Sequence, residues 1–106
     1  MQIDVKKAAA RISDQVLQTP LFYSKYLSAL NKGNVYLKLE NEQYTGSFKA
    51  RGALNKILSL TAPEKAKGLI TASTGNHAQG FARALEITKT KGTIFLPTSA
   101  EESKVE

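Results

Sequence analysis

The chain has 106 residues, and its 15 Lys and Arg residues against 9 Asp and Glu residues give a formal net charge of +6. This length excludes a second complete domain within the chain, because domains commonly run to about 100–150 residues. Hydrophobic residues make up 42% of the chain and charged residues 23%, which excludes a wholly disordered or collagen-like protein. The lack of cysteine excludes a disulfide framework, a thiolate zinc site and a cysteine nucleophile.

The distribution of charged and apolar residues excludes further classes of partner. Basic residues are spread singly, and the longest basic run is Lys6–Lys7, so there is no clustered patch of the kind that neutralises nucleic-acid phosphates. No apolar run approaches the roughly 20 residues that cross a bilayer. His77 is the only histidine, and a lone histidine does not make a metal site. We therefore expect a cytoplasmic protein with no nucleic-acid partner, no membrane partner and no metal.

Hydrophobic periodicity and capping residues predict the secondary structure. Apolar residues recur at helical spacing after Asp4 and after Ser47, and both are good N-cap residues. Pro20 and Gly33 follow the first two helices, and Gly33 would supply a left-handed turn. Residues 35–40 alternate between apolar and larger or charged side chains, which indicates a half-buried strand. The predicted elements are helices at 4–17, 24–30 and 47–60, a helix beginning at 76, and strands at 35–40, 69–72 and 93–96.

The alternation of strands with helices predicts the fold class, α/β with an open parallel sheet built from βαβ units. In this fold the three predicted strands lie in one sheet. Ser99 and Glu102 have the spacing of a capping box, which announces another helix close to the last residue. We therefore expect the N-terminal fragment of a larger protein, with the sheet truncated. The alternative is a small domain with a frayed tail.

The first segment that carries chemistry is Thr45–Ala53. Its glycines do not make a phosphate loop, because no Lys-Ser or Lys-Thr pair follows the second one. Lys49 falls in the first turn of a predicted helix, where free N–H groups and the helix dipole disfavour a positive charge. A neutral amine is what Schiff-base chemistry requires. Lys49 is therefore a candidate catalytic residue, although most lysines in a first turn are simply solvated.

The second segment is Ser73–Gly80, which lies between a predicted strand and a predicted helix. Ligands gather at the carboxyl ends of parallel strands, and helix N-termini present free N–H groups to anions. Ser73, Thr74 and Asn76 add short donors, and Gly75 lets the backbone come close to a ligand. A small carboxylate or phosphate is the expected ligand. A cluster that only caps its own helix is an equal alternative.

Together, Ser47–Ala53 and Ser73–Gly80 resemble the threonine/serine dehydratase and serine racemase group of pyridoxal-phosphate enzymes. These enzymes have the tryptophan synthase β-subunit fold, also called fold type II. The similarity runs in order from Thr19 to Lys104 and covers nearly the whole chain. It implies pyridoxal 5'-phosphate as the cofactor, a small amino acid as the substrate and a homo-oligomer as the assembly.

The resemblance also implies a role for each candidate residue. Lys49 would bind the cofactor covalently and act as the catalytic base, and Phe48 would pack beside the cofactor. Asn76 would hydrogen-bond the ring hydroxyl oxygen of the cofactor. The pocket for the substrate carboxylate would consist of Ser73, Thr74, Gly75, Asn76 and His77.

The implied domain organisation has two parts. Residues 1–33 would be an N-terminal helical segment that belongs to the larger domain of the enzyme. Residues 34–106 would be a partial small α/β domain that carries the cofactor lysine. The glycine-rich phosphate cradle of the family and the polar residue that faces the pyridine nitrogen lie beyond residue 106. We therefore expect the 106-residue chain alone to be inactive.

The implied reaction is that of an ammonia-lyase, which converts threonine or serine to a 2-oxo acid and ammonia. Thr74 departs from the pattern, because dehydratases of this group often have Ala there and racemases have Ser. A hydroxyl at this position could act as an acid on the opposite face of the substrate. Serine or aspartate racemisation is therefore the alternative activity. An alternative of another class is a non-catalytic α/β module that binds a partner.

Overall fold

The computed structural model describes residues 4–98. Its helices and strands are α1 (Val5–Ile12), β1 (Leu21–Tyr23), α2 (Lys25–Asn31), β2 (Tyr36–Lys38), α3 (Lys49–Ser59), α4 (Ala62–Ala66), β3 (Leu69–Ala72), α5 (Asn76–Thr88) and β4 (Gly92–Phe95). The predicted capping box at Ser99 and Glu102 lies outside the described residues. None of the helices in residues 4–98 has the length and apolar character needed to cross a membrane.

The second half of the chain forms the predicted parallel βαβ unit. Strands β3 and β4 pair in parallel, with Leu69 opposite Gly92 and Ala72 opposite Phe95. Helix α5 connects them along the chain and contacts both. The α/β fold class is thereby confirmed.

Strand β2 does not join this sheet, so the prediction of three strands in one parallel sheet is wrong. It pairs antiparallel with β1, which the sequence analysis missed, and Leu21 lies opposite Lys38. Every residue of both strands is exposed, and β2 is shorter than the predicted strand at 35–40. Val35 and Leu39, which flank β2, are half-buried as predicted. The apolar side chains of β2 therefore do not mark a buried face. The rings of Tyr23 and Tyr36 instead pack across the pair, with their centroids 5.3 Å apart.

The core lies where α3 crosses α5. The apolar stripe predicted for α3 consists of Ala50, Leu54, Ile57 and Leu58. The first three are buried there, with Leu54 and Ile57 each only 2% exposed, and Leu58 is half-buried. Ala53 of α3, Phe81 and Ala84 of α5 and Ile12 of α1 complete the buried cluster. Full burial of a large aliphatic side chain contributes about 1.5–3 kcal/mol. The two helices that begin with the candidate segments are therefore held side by side by the main core of the chain.

Two predicted helix ends are corrected. The first helix stops at Ile12 and not at residue 17, because the side-chain amide of Gln43 exchanges two hydrogen bonds with the backbone of Leu17, at 2.9 and 3.0 Å. This pairing holds the chain in an extended form after a short 3₁₀ turn. At the end of α2, Lys32 and not Gly33 takes the left-handed conformation, with φ of 50°.

Two helix starts also differ from the prediction. Helix α3 begins at Lys49 with Phe48 as its N-cap residue, so Ser47 is not the N-cap. Helix α4 was not predicted, although Thr61 and Glu64 form a capping box around a Pro in its first turn. The N–H and hydroxyl of Thr61 both donate to the Glu64 carboxylate, and these bonds lower the pKa of Glu64.

Candidate active site

Lys49 is the first residue of α3, and its side chain is exposed. Its Nζ atom lies 5.3 Å from the centroid of the Phe48 ring, which is itself 61% exposed. The buried hydroxyl of Ser47 accepts a hydrogen bond from the Lys49 backbone N–H at 3.3 Å. The first turn of α3 contains no acidic residue. The structure thus presents a primary amine at the start of a helix, beside an exposed aromatic ring.

The second candidate segment follows the carboxyl end of β3. The Ser73 N–H donates to the Phe95 carbonyl oxygen at 3.3 Å, and the Ser73 hydroxyl accepts from the Gly75 N–H at 3.3 Å. Gly75 is the N-cap residue of α5 and offers no side-chain cap, while Thr74 and Asn76 are exposed. Short polar side chains therefore surround a helix start whose first N–H groups are not capped by a side chain.

His77 is half-buried and is anchored to the neighbouring strand. Its Nε2 atom lies 3.1 Å from the Thr71 hydroxyl oxygen of β3. Its ring also lies near that of Phe81, one turn further along α5, with the centroids 6.4 Å apart. These contacts fix the imidazole ring against β3 and α5.

The two candidate segments meet where α5 passes the start of α3. A Cβ atom placed on Gly80 would lie 2.9 Å from the Lys49 carbonyl carbon and 3.1 Å from the Ala50 nitrogen. Helix α5 is therefore packed directly on the Lys49 peptide. The two motifs that the sequence analysis singled out occupy one place in the fold.

A cavity of about 400 Å³ lies beside this crossing. Three of the candidate residues, Phe48, Lys49 and His77, line it. Ser73, Thr74, Gly75 and Asn76 are not among its lining residues and lie at the start of α5. The sequence analysis missed Lys56, which lines the cavity two helical turns after Lys49 on the same side of α3. The spacing of seven residues between the two lysines is the signal that could have found it.

An ion pair holds the first turns of α3 from outside the helix. Arg51 donates two hydrogen bonds to the Glu40 carboxylate, at 2.8 and 2.7 Å, and a third to the Leu17 carbonyl oxygen at 2.8 Å. The Thr19 hydroxyl donates to the same carboxylate. The hydrogen bonds from Arg51, opposed by desolvation, lower the pKa of Glu40 to about 2. Glu40 in turn raises the pKa of Arg51.

The sequence does not predict this ion pair. Glu40 and Arg51 lie in different elements with a loop between them, so no periodic pattern within one helix or strand links the two. Opposite charges three or four residues apart on one helix can be recognised in a sequence. A contact between two elements that are joined by a loop cannot.

A model of the family described as "Pyridoxal-phosphate dependent enzyme" matches residues 12–106. The chain belongs to this family. The pyridoxal-phosphate enzyme resemblance and the cofactor that it implies are thereby confirmed.

Individual members of the family are similar to this chain over nearly its whole length. The catabolic L-threonine dehydratase TdcB of Staphylococcus aureus strain USA300 is 51% identical over 102 residues, which are 95% of this chain and 30% of that relative. The crystal structure of serine racemase from Dictyostelium discoideum matches with a TM-score of 0.87 and 38% identity, over 95% of this chain and 33% of that one. The processed form of threonine deaminase isoform 2 from Solanum lycopersicum matches with a TM-score of 0.77 and 34% identity, over 99% of this chain and 31% of that one. The chain thus spans about a third of the length of these proteins.

The chemistry of the described residues fits the cofactor of the family. Pyridoxal phosphate is an anionic aldehyde, and a primary amine such as that of Lys49 is the side-chain group that bonds reversibly to an aldehyde. The cavity beside Lys49 also has Lys56 in its wall and no carboxylate among its described lining residues. Nothing in this wall opposes an anion. Lys49 and Phe48, which line this cavity, fit such a group, and the predicted contact of Asn76 with the cofactor stays a prediction.

Proposed function

We propose that this chain supplies the lysine-bearing part of a pyridoxal-phosphate-dependent lyase that converts threonine or serine to a 2-oxo acid and ammonia. The observation that carries the proposal is the 51% identity to the S. aureus L-threonine dehydratase over 95% of the chain. An alignment of this extent runs through both candidate segments. The packing of α5 on the Lys49 peptide supports the proposal, because it joins these segments in one place.

Pyridoxal phosphate supplies an electron sink for the α-carbon of a bound amino acid. The Lys49 Nζ atom holds the cofactor and, when free, accepts the proton from the substrate α-carbon. The exposed Phe48 ring would pack beside the cofactor, and the Asn76 amide would hydrogen-bond its ring hydroxyl oxygen. The hydroxyls of Ser73 and Thr74, with the uncapped N–H groups at the start of α5, bind the substrate carboxylate.

The proposal extends to features that concern the whole protein. Residues 1–33 belong to the larger domain of the enzyme, and residues 34–106 belong to the small domain that carries the cofactor lysine. The enzyme is a cytoplasmic homo-oligomer. The 106 residues alone are inactive, and the coverage of only 30% of the dehydratase supports this part of the proposal.

Two measurements test the lyase. The complete polypeptide that contains this sequence is purified with added cofactor, its visible spectrum is recorded, and 2-oxo acid formation from L-threonine and L-serine is followed. We expect a visible absorption band and steady product formation. A colourless protein that forms no 2-oxo acid would contradict the proposal. In parallel, the 106-residue chain is mixed with cofactor and passed through gel filtration, and retention of one cofactor per chain would contradict its inactivity.

Racemisation is the second candidate, and one observation favours it. The similarity to the Dictyostelium serine racemase structure extends over 95% of this chain. Thr74 is exposed beside the start of α5, where its hydroxyl can donate a proton to a substrate. A racemase predicts that L-serine yields D-serine, and that Thr74→Ala removes this product while 2-oxo acid formation persists. Formation of 2-oxo acid without D-serine identifies the lyase alone.

A further inference from the structure

We propose that Gly80 is a positioning residue, which sets the separation between the Lys49 peptide and the start of α5 and thereby places Lys49 relative to Asn76. This inference rests on the proposed function, because the two residues act together only if both contact one cofactor. No atom of Gly80 takes part in the reaction itself.

Gly80 of α5 meets backbone atoms of α3. A Cβ atom at this position would lie 2.9 Å from the carbonyl carbon of Lys49, 3.0 Å from its carbonyl oxygen and 3.1 Å from the Ala50 nitrogen. All three are backbone atoms, which cannot rotate away as a side chain can. Any larger residue at position 80 must therefore move α5 away from the first turn of α3.

Asn76 and Gly80 are four residues apart, so they lie on the same face of α5, one turn from each other. The face that touches the Lys49 peptide at Gly80 is thus the face that carries Asn76 at the helix start. A displacement of α5 at Gly80 changes the distance between Lys49 and Asn76.

Other glycines show that this contact is specific to position 80. A Cβ atom on Gly52, inside α3, would meet nothing within 4 Å. A Cβ atom on Gly92 would lie 2.8 Å from a methyl group of Leu85 and 3.1 Å from the Leu69 carbonyl oxygen. Gly92 is therefore also crowded, but its two nearest neighbours are side-chain methyl groups that can shift, and none of the three atoms belongs to Lys49 or Ala50. It provides a control for added volume at a crowded glycine that does not contact the Lys49 peptide.

Helix propensity and packing predict opposite effects for Gly80→Ala. Alanine is the better helix former, so the substitution would raise the melting temperature if position 80 were open. The contacts with the Lys49 peptide reverse this sign, and we expect Gly80→Ala to lower the melting temperature by about 3 °C or more. Gly52→Ala serves as the open-position control and raises it.

The experiment compares Gly80→Ala and Gly92→Ala in the complete polypeptide that contains this sequence. The melting temperature of each variant is measured first. The visible absorption and circular dichroism of added pyridoxal phosphate are then recorded, together with kcat and KM. Amide hydrogen exchange of the cofactor-free protein is measured across residues 49–54. We expect both variants to melt earlier, and only Gly80→Ala to change the visible spectrum, lower kcat about tenfold or more and speed exchange at residues 49–54.

The other outcomes are also decisive. If Gly80→Ala leaves the melting temperature unchanged or raised, or if both variants alter the visible spectrum in proportion to their loss of stability, the positioning role is overturned. If the unaltered protein binds no cofactor, the proposed function fails, and hydrogen exchange then decides the structural role. Faster exchange at residues 49–54 in Gly80→Ala alone supports Gly80 as the residue that holds the Lys49 turn. Equal exchange in both variants overturns it.

Discussion

The helices within residues 4–98 begin in two different ways. Helices α1, α2 and α4 each start with a side chain that accepts a hydrogen bond from the first turn, and these side chains belong to Asp4, Ser24 and Thr61. Helices α3 and α5 start at Phe48 and Gly75, neither of which provides a side-chain cap. The helices that carry the candidate residues are thus the two whose N-cap residues provide no side-chain cap, and in α3 the Ser47 hydroxyl accepts only from the N–H of Lys49.

A helix whose start binds a ligand lacks the stabilisation that an N-cap side chain provides. An N-cap side chain typically contributes about 1 kcal/mol, but it occupies an N–H group that an anion could otherwise bind. Helix α5 leaves its first N–H groups without a side-chain cap. Helix α3 is instead stabilised from outside, where Glu40 binds Arg51 in its first turn. Four substitutions test this comparison.

The largest effect is expected from the lysines at the first position of two helices. Lys49 begins the uncapped helix α3, and Lys25 begins the capped helix α2. We expect Lys49→Ala to lower 2-oxo acid formation by the complete polypeptide about 1,000-fold or more, because the amine is both cofactor anchor and base. Lys25→Ala should leave kcat and KM unchanged. Equal, mild losses from the two substitutions would contradict the role of Lys49.

The second prediction concerns the support of α3 from outside. The pKa of Glu40 is lowered from 4.5 to about 2, so the ionised form stabilises the folded state above pH 4.5 and this contribution disappears as the pH falls toward 2. We expect Glu40→Gln to lower the free energy of unfolding at pH 7 by about 2 kcal/mol, with the difference shrinking below pH 4.5.

Urea unfolding between pH 7 and pH 3 measures this difference. Glu42→Gln is the control, because Glu42 is exposed in the same turn and forms no ion pair with a described residue. A difference between wild type and Glu40→Gln that stays constant with pH would contradict the ion pair as its source.

The third prediction adds a cap to a helix that lacks one. Gly75 has a negative φ of −145°, and a Cβ atom there would meet nothing within 4 Å, so Gly75→Asp makes no steric clash. The new carboxylate should cap α5 and leave the melting temperature unchanged or higher. It should also repel the substrate carboxylate and raise KM about tenfold. Gly75→Ala adds the Cβ atom without the charge, and an equal increase of KM in this variant would attribute the effect to volume alone.

The smallest effect is expected from removing a cap far from the candidate site. The Ser24 hydroxyl accepts a hydrogen bond from the Leu27 N–H at 3.3 Å. Ser24→Ala should lower the free energy of unfolding by about 1 kcal/mol and leave the visible spectrum and kcat unchanged. Urea unfolding and steady-state kinetics check both parts. A fall in kcat without a loss of stability would connect α2 to the site and weaken the distinction between the two kinds of helix start.

Local signals predicted much of the fold. Asp4 and Ser24 were identified as helix starts because a cap and its helix are adjacent in the sequence. Strand β3 has the predicted bounds, since it is a short apolar run between turn residues. The pairing of β1 with β2 was missed, because both strands are exposed and their partnership depends on a contact between distant residues.

The residues of the candidate site also fall into those that the sequence predicted and those that it did not. Lys49 and Ser73–Gly80 were found from their places at helix starts and from the resemblance to a family. The roles of Phe48, Asn76 and the carboxylate-binding residues stay predictions. Glu40 and the contact of Gly80 with the Lys49 peptide could not be predicted, because both depend on how elements pack in three dimensions.

The position of Ile12 ties the stability of the chain to its order of synthesis. It belongs to one buried cluster with Leu54 in α3 and Ala84 in α5. Ribosomes add about 5–20 residues per second, so the first helix waits for seconds before its last partner exists. A ribosome that stalls before residue 84 holds a nascent chain whose apolar side chains remain in water, where chaperones bind. Only a chain that has emerged from the ribosome as far as residue 95 can bury Ile12 in the complete cluster and pair β3 with β4.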